Sequence, residues 1–415
     1  MKASFLKETV EMIGSWKKKA IGQLFDIQLG KMLNEKAKTG PQFPYLANYN
    51  VRWGYFDLSQ LNEMTFSDRE KDKYKLQKGD LLMCEGGEIG RCAIWQSSDV
   101  EIYYQKALHR LRPKGKEALT EYLYFYMQFF ASQGNLTRIV GEPSIAHLTR
   151  EKLLGLPMTY PSLPEQKAIA EMLSAWDVAI EKTERLVNAK EKRLDAYARM
   201  LFDYKNNGEY EGLKAVKLRT VLTEHGEKST GSEAVFSVSV HKGLVNQIEH
   251  LGRSFSAVNI NNYNRVHYGD IVYTKSPTGD FPLGIVKQSY VEEDVIVSPL
   301  YGVFTPKTFN LGIVLDFYFG SPNRAINYLS PIVQKGAKNT IAITNNTFLS
   351  KDLHLPVDER VQKYIAEFVL AAREEILLLK KLADKYKTQK RGLMQKMLTG
   401  EWRLKPEVVK KYTEV

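Results

Sequence analysis

Gln166-Lys167-Ala168-Ile169-Ala170-Glu171 and, 196 residues further on, Gln362-Lys363-Tyr364-Ile365-Ala366-Glu367 open two long charged segments with one shared pattern. In the first, apolar positions advance in alternating steps of four and three: Ile169, Leu173, Trp176, Ile180, Val187, Leu194, Tyr197 and Leu201, with Thr183 and Lys190 as polar interruptions. The second runs Ile365, Val369, Ala372, Ile376, Leu379, Ala383, Tyr386, Leu393 and Met397, interrupted by Lys390. Each stripe position in one copy falls on a stripe position of the other at the same offset. A period of 3.5 held over four to five heptads is the pattern of a coiled-coil seam. Two such helices in one chain most simply pack on each other, which makes the chain an internal pseudo-dimer performing one activity twice.

A chain of 415 residues exceeds one ordinary domain, and its hydrophobic content of 43% suffices for packed cores. The 59 Lys and Arg against 48 Asp and Glu leave a formal charge of +11. That excess favours a polyanionic partner, nucleic acid being the commonest. Cys84 and Cys92 have neither disulfide-framework nor zinc-site spacing, so reduced thiols in a cytoplasmic protein are expected. Met1 to Trp16 carries Lys7, Glu8 and Glu11 within its apolar pattern, which disqualifies a signal-peptide core. No run of about 18 apolar residues exists, so no membrane span is expected.

Outward from the helices, the chain reads as globular, helix, globular, helix. Ile21–Leu29 reads as a strand, Leu81–Met83 and Cys92–Trp95 as strands joined through Gly86-Gly87, and Thr120–Gln133 as a helix. Prolines 157, 161 and 164 stop regular structure ahead of the first long helix, and Asn206-Asn207-Gly208 is expected to end it. The second half repeats the plan. Tyr268-Gly269-Asp270-Ile271-Val272-Tyr273 matches Lys78-Gly79-Asp80-Leu81-Leu82-Met83, Ile313–Phe319 parallels the earlier helix, and Leu353–Pro356 mirrors Leu154–Pro157. Gly400 closes the second long helix. The expected fold is α+β: two similar mixed α/β domains (1–163 and 207–357) separated by two long helices (164–206 and 358–400), with a tail at 401–415. The helices are expected to pack as an antiparallel coiled coil about a pseudo-twofold axis, because a parallel pair would force the intervening domain to span their full length.

Catalytic chemistry is missing. Gly30-Lys31 lacks the upstream glycine and the following Ser/Thr of a phosphate loop, and GxGxxG is absent. Glu85-Gly86-Gly87-Glu88-Ile89-Gly90 is glycine-rich, but its two glutamates would repel a phosphate, so a turn is expected. His109, His147, His225, His241, His250, His267 and His354 are scattered without ligand spacing, and no metal site is expected. Neither the nuclease pattern of an Asp with downstream [DE]xK nor an Asn-Pro-Pro-aromatic methyltransferase motif occurs.

Polar loops offer DNA-reading groups instead, since phosphates call for Lys and Arg and base edges for Asn, Gln, Arg or Lys. In the first half the candidates are Lys31, Asn48, Asn50, Arg52, Arg91, Gln105, Lys106 and Arg110, with Tyr45, Tyr49 and Trp53 interleaved. In the second they are His241, Lys242, Thr274, Lys275, Ser276, Thr278, Lys335, Lys338 and Asn339. Charges on the helix faces, such as Glu181, Lys182, Glu184 and Arg185, read as a solvated face with i,i+4 pairs.

With the repeat in view and no catalytic motif found, the chain resembles the specificity subunit of type I restriction–modification systems. The segments carrying the resemblance are Pro44–Val51, Gly79–Leu82 with Glu85-Gly86-Gly87 and Gly90-Arg91, Leu163–Gln166, Gly269–Tyr273, Val297–Tyr301 and Leu398–Leu404. In the second copy the Leu-Pro-Glu-Gln element is degraded to Val357-Asp358-Glu359-Arg360, which makes the two helix starts unequal. The resemblance implies two target-recognition domains reading the halves of a bipartite, asymmetric target in double-stranded DNA. It implies that the paired helices act as a spacer and dock two methyltransferase subunits, with restriction subunits completing the complex. S-adenosylmethionine, ATP and Mg2+ are then expected on partners and no cofactor on this chain. The same readers could serve a single fused methylase–nuclease, and a coiled-coil scaffold without nucleic acid is the reading from another class.

Overall fold

The computed structural model describes residues 16–33, 40–140, 147–203, 213–248, 260–335 and 341–413. They form two compact units, residues 1–183 with 381–415 and residues 184–380. The sequence places domain boundaries at the helix ends; compactness instead assigns half of each long helix to each unit.

In the first unit, strands β2 (Phe25–Leu29), β3 (Leu81–Cys84), β4 (Cys92–Ile94) and β5 (Leu108–Pro113) form an antiparallel sheet in the order β2-β5-β3-β4. The helix Thr120–Ser132 buries Tyr122, Leu123, Phe125 and Met127 in a core shared with Phe25, Ile27 and Leu111. Strand β1 (Lys17–Ala20) pairs antiparallel with β6 (Pro157–Tyr160), Lys17 opposite Tyr160. Ile21–Leu29 is not one strand. Ile21–Leu24 makes a helical turn, because Gln23 Oε1 accepts from Ala20 N and the Ile21 amide donates to Leu156 O. Gly22 is required in that turn: a Cβ there would lie 2.5 Å from the Leu154 side chain.

The second unit repeats this four-stranded order, although its smaller sheets differ. β8 (Leu222–Thr223), β9 (Ile271–Tyr273), β10 (Val286–Gln288) and β11 (Gly302–Pro306) are ordered β8-β11-β9-β10. The helix Phe309–Phe319 supplies Leu311, Ile313, Val314 and Leu315 to the core. β7 (Leu213–Lys217) pairs with β12 (Asp352–Pro356), Leu213 opposite Pro356. The true counterpart of Leu353–Pro356 is therefore Pro157–Tyr160, three residues beyond the string the sequence suggests. Leu154 and Gly155 end a short helix instead.

Two repeated sequence elements acquire a physical meaning. Gly79 and Gly269 both hold φ +91° immediately before an Asp. Asp80 Oδ2 accepts from Gln77 N at 2.7 Å, and Asp270 Oδ2 accepts from His267 N at 2.8 Å. The Gly-Asp pair is thus a left-handed turn with a side-chain cap, feeding β3 in one unit and β9 in the other. The repeated glutamines are latches. Gln166 Oε1 accepts from Leu119 N and its Nε2 donates to Pro161 O, both at 2.9 Å. Gln362 Oε1 accepts from Thr308 Oγ1 at 2.8 Å and its Nε2 donates to Pro356 O at 2.9 Å. Leu119 and Thr308 each precede the core helix, so each latch ties a long helix to its sheet-and-helix unit.

The first long helix spans Leu163–Phe202 and the second Glu359–Leu398. Asn206–Gly208, the expected terminator, lies outside the described residues. Gly400, at φ +78°, follows the second helix, and Trp402 N bonds back to Lys396 O. Within the first unit the helices run antiparallel: Glu165, at the start of the first, meets Arg403 just past the end of the second, and Asp177, twelve residues on, meets Lys390, with Trp176 edge-on to Tyr386 beside it. In the second unit Glu191 pairs with Lys380 and Tyr197 packs on Phe368, again antiparallel. Ile169, Leu173, Ala383 and Met397 are buried in the first unit, and Trp176, Ile180, Tyr386 and Leu393 half-buried. In the second unit Val187, Leu201, Ile365, Val369 and Ile376 are buried, with Leu194, Tyr197, Ala372 and Leu379 half-buried. The polar interruptions have partners: Lys390 holds Asp177 and Gln128, and Lys190 holds Glu375.

Residues 401–413 are structured. Arg403 forks onto the buried Glu165 carboxylate with two bonds of 2.8 Å, Tyr412 donates to Glu171, and Val408 and Val409 pack on the first unit's core. No helix among the described residues is long and apolar enough to cross a membrane.

Gln362→Ala leaves a Thr308 hydroxyl and the Pro356 carbonyl without their buried partner. Loss of stability by about 1–3 kcal/mol in urea unfolding is the expected outcome; an unchanged midpoint would contradict the latch assignment.

Candidate nucleic-acid interface

In the first unit, three loops beside the sheet converge. Asn48 Nδ2 donates to Gly86 O at 2.9 Å, and Arg91 Nη2 donates to Asn48 O at 3.0 Å, joining the Asn48 loop to the glycine turn. Arg91 Nη1 also meets Glu88 at 3.2 Å, and Trp53 Nε1 donates to the same carboxylate. Gln105 N donates to Leu46 O, bringing in the third loop. Gly87 and Gly90 adopt φ +71° and +79°, so the Glu85–Gly90 stretch is a turn.

Several residues read from the sequence as DNA contacts are committed inside the fold. Asn50 is 1% exposed; its Oδ1 accepts from Ala47 N and its Nδ2 donates to Asp57 O and Gln60 O. Lys31 is buried, with Nζ 2.8 Å from Glu70 and 2.6 Å from Thr65 O. Arg110 is buried on Asp26. Thr274 is buried, and its hydroxyl accepts from Ile285 N. Arg110 ties β5 to β2, while the other three and Arg91 engage their polar groups in and around the loops. Asn50, Lys31 and Thr274 spend these polar groups on nearby backbone atoms.

Asn48, Arg52 and Gln105 are half-buried, whereas Lys106 is exposed. Tyr49 and Tyr55 are exposed beside them, while Tyr45 is buried. In the second unit His241 and Lys242 are exposed at the turn between the paired strands Phe236–Ser239 and Gly243–Asn246. Ser276 and Thr278 are exposed on the β9–β10 loop, the counterpart of the glycine turn. Lys275, half-buried on that loop, holds φ +49°, and Gly284 makes this strained position close-packed: a Cβ on it would sit 2.8 Å from Lys275 N. Burial lowers the Lys275 ammonium below its usual pKa. Lys338 and Asn339 lie outside the described residues, and of Lys335 only the backbone is described.

The fold also assembles a cluster that the scattered histidines hide. His225, His267 and Asp270 place ligand-type atoms within 4.8 Å of one another. Their hydrogen bonds argue against a cation. The Glu227 amide donates to His225 Nδ1 at 3.1 Å, so neutral His225 carries its proton on Nε2 and donates it to Asp270 Oδ2, also at 3.1 Å. Neither nitrogen keeps a free lone pair, and the cluster reads as a closed network. His267 lies between Asp294, 2.7 Å from Nδ1, and Glu227, 3.3 Å from Nε2. The Asp294 hydrogen bond, reinforced by the surrounding carboxylates, raises its imidazole pKa. No sequence signal would have found this network, because it joins three distant segments: His225 with Glu227, His267 with Asp270, and Asp294.

A family model described as "Type I restriction modification DNA specificity domain" matches residues 14–190. Across 96% of this chain and 96% of its own, a Methanocaldococcus jannaschii protein named as the type I restriction enzyme MjaX specificity subunit is 22% identical. The type I restriction–modification S subunit from M. genitalium superposes with a TM-score of 0.58 at 15% identity, covering 92% of this chain and 96% of that one. A chain solved in work on complex assembly and conformational transition of a type I restriction–modification system gives 0.55 at 14% identity, covering 93% and 98%. Residues 14–190 therefore resemble a type I restriction–modification DNA specificity domain. The chain as a whole has the fold of these specificity subunits, and the resemblance drawn from the sequence stands.

Because His267 has a raised pKa, its contribution to stability is complete below the ordinary histidine value of about 6.5 and is lost as pH rises through the higher folded value. Thermal unfolding of His267→Asn should lack that loss on going from about pH 6 to about pH 8.5; an unchanged pH slope would contradict the assignment.

Proposed function

We propose that this chain is the non-catalytic specificity subunit of a type I restriction–modification complex, reading a bipartite, asymmetric target in double-stranded DNA. The observation that carries the reading is the duplicated unit. One sheet order and one core helix occur twice, while the loops at equivalent places differ in sequence. Glu85–Gly90 in one unit answers to Thr274–Thr278 in the other, so similar scaffolds present different chemistry. Two readers with different loops select two different half-sites.

Lys106, His241, Lys242, Ser276 and Thr278 are the exposed groups best placed for phosphates and bases, with Arg52, Gln105 and Lys275 at their margins. Two methyltransferase subunits dock on the paired helices, and restriction subunits join them in the full complex. S-adenosylmethionine, ATP and Mg2+ belong to those partners, and the complex works on cytoplasmic DNA. The excess of positive charge serves phosphate binding.

Methylated positions mapped in a genome carrying this chain with its methyltransferase should define two unlike half-sites separated by an unread spacer; a continuous or palindromic motif would contradict the reading. Lys106→Ala in the assembled methyltransferase should weaken DNA binding evenly across target sequences and reduce the salt slope by about one unit. A change in sequence preference alone would move Lys106 from phosphate to base contact.

A further inference from the structure

The seam is not symmetric, although the fold is. The repeat offset equates position 177 with 373 and position 194 with 390, and these positions carry Asp, Arg, Leu and Lys respectively. In the first unit Lys390, 6% exposed, places Nζ 2.6 Å from Asp177 and 2.8 Å from Gln128, above the Phe125 ring. At the equivalent place in the second unit Leu194 and Arg373 line the same cavities, and Arg373 turns to the buried Asp316. Trp176 packs on Tyr386 in the first unit, where the repeat offset sets Ala372 and Lys190 in the second. Glu191 pairs with Lys380, whose counterparts are Lys387 and Glu184.

We infer that this seam carries a heterotypic code, so that the two long helices of this chain select each other and reject copies of themselves. The alternatives follow from the offset. If two second halves paired, Lys390 would lose Asp177 and Gln128 and face Arg373, two cations in a buried place. Lys380 would meet Lys387, and Tyr386 would meet Ala372, leaving a void. If two first halves paired, Asp177 would face Leu194, Glu191 would face Glu184, and Trp176 would face Lys190. Every one of these contacts is a loss relative to the pairing found. A buried ammonium deprived of its carboxylate is the costliest, so the self-pair of second halves is excluded most strongly. The partner this surface fits is the complementary half of the same chain, a preference set by unlike charge and unlike size. The inference is independent of what the loops read.

The test uses the full chain with a protease site placed between Asp203 and Leu213. After folding, the chain is cut, unfolded in urea, refolded by dilution and weighed by native mass spectrometry, which separates the two halves by mass. The heterotypic 1:1 species should dominate; self-pairs at the random level of about one quarter each would overturn the inference. Where the cut halves do not refold, the intact chain decides. Lys390→Asp should lower the melting temperature by several degrees, and adding Asp177→Lys should restore at least half of the loss. A double variant no more stable than the single one would overturn the code.

Discussion

Neither unit can close its core without both long helices. The first unit's core takes Ile169 and Leu173 from one and Met394, Met397 and Leu398 from the other. The second takes Ala198 and Leu201 with Ile365, Ala366 and Val369. The antiparallel seam is therefore not a connector added to finished domains. In each unit the two helix segments are part of the core itself, and removing apolar contact along them opens that core as well as the coiled coil. Buried polar groups in the seam, Lys390 with Asp177 above all, fix which residues face each other, the best-attested use of such groups in paired helices.

The chain builds one sheet-and-helix core twice. Strand order, the Gly-Asp turn and the glutamine latch recur, and the differences collect in loops and in charges. Loops tolerate change because they lie at the surface, while the turn and latch satisfy buried backbone groups and leave little freedom. The C-terminal segment adds a second tie, with Arg403 on the buried Glu165 fixing residues beyond Gly400 to the start of the first long helix.

The sequence made the helices legible because a periodic stripe is a local signal, and each stripe residue lies buried or half-buried in its unit. The duplicated Gly-Asp element was legible as a pattern, though its meaning as a capped left-handed turn required the backbone. Other features were not legible, for physical reasons. Ile21–Leu29 has strand composition, but one glutamine side chain and a tight approach at Gly22 turn its first four residues into helix. Asn50 and Arg91 are polar in the right places, yet polarity does not reveal whether a donor is spent on the loop itself or offered to solvent. The histidine network joins residues 225, 267 and 270 with carboxylates at 227 and 294, and only the folded chain brings them together.

The direction of the helix pair is the claim on which the rest stands, and a distance measures it directly. Ser174 and Gln395, both exposed and both in the first unit, carry spin labels without disturbing the seam. Antiparallel packing places them about one interhelical spacing apart, roughly 8–10 Å before the label arms are added. A parallel pair in the repeat register would separate them by about 37 Å along the axis, at 1.5 Å per residue. A pulsed dipolar measurement on the full chain giving the short distance supports the account, and the long one contradicts it.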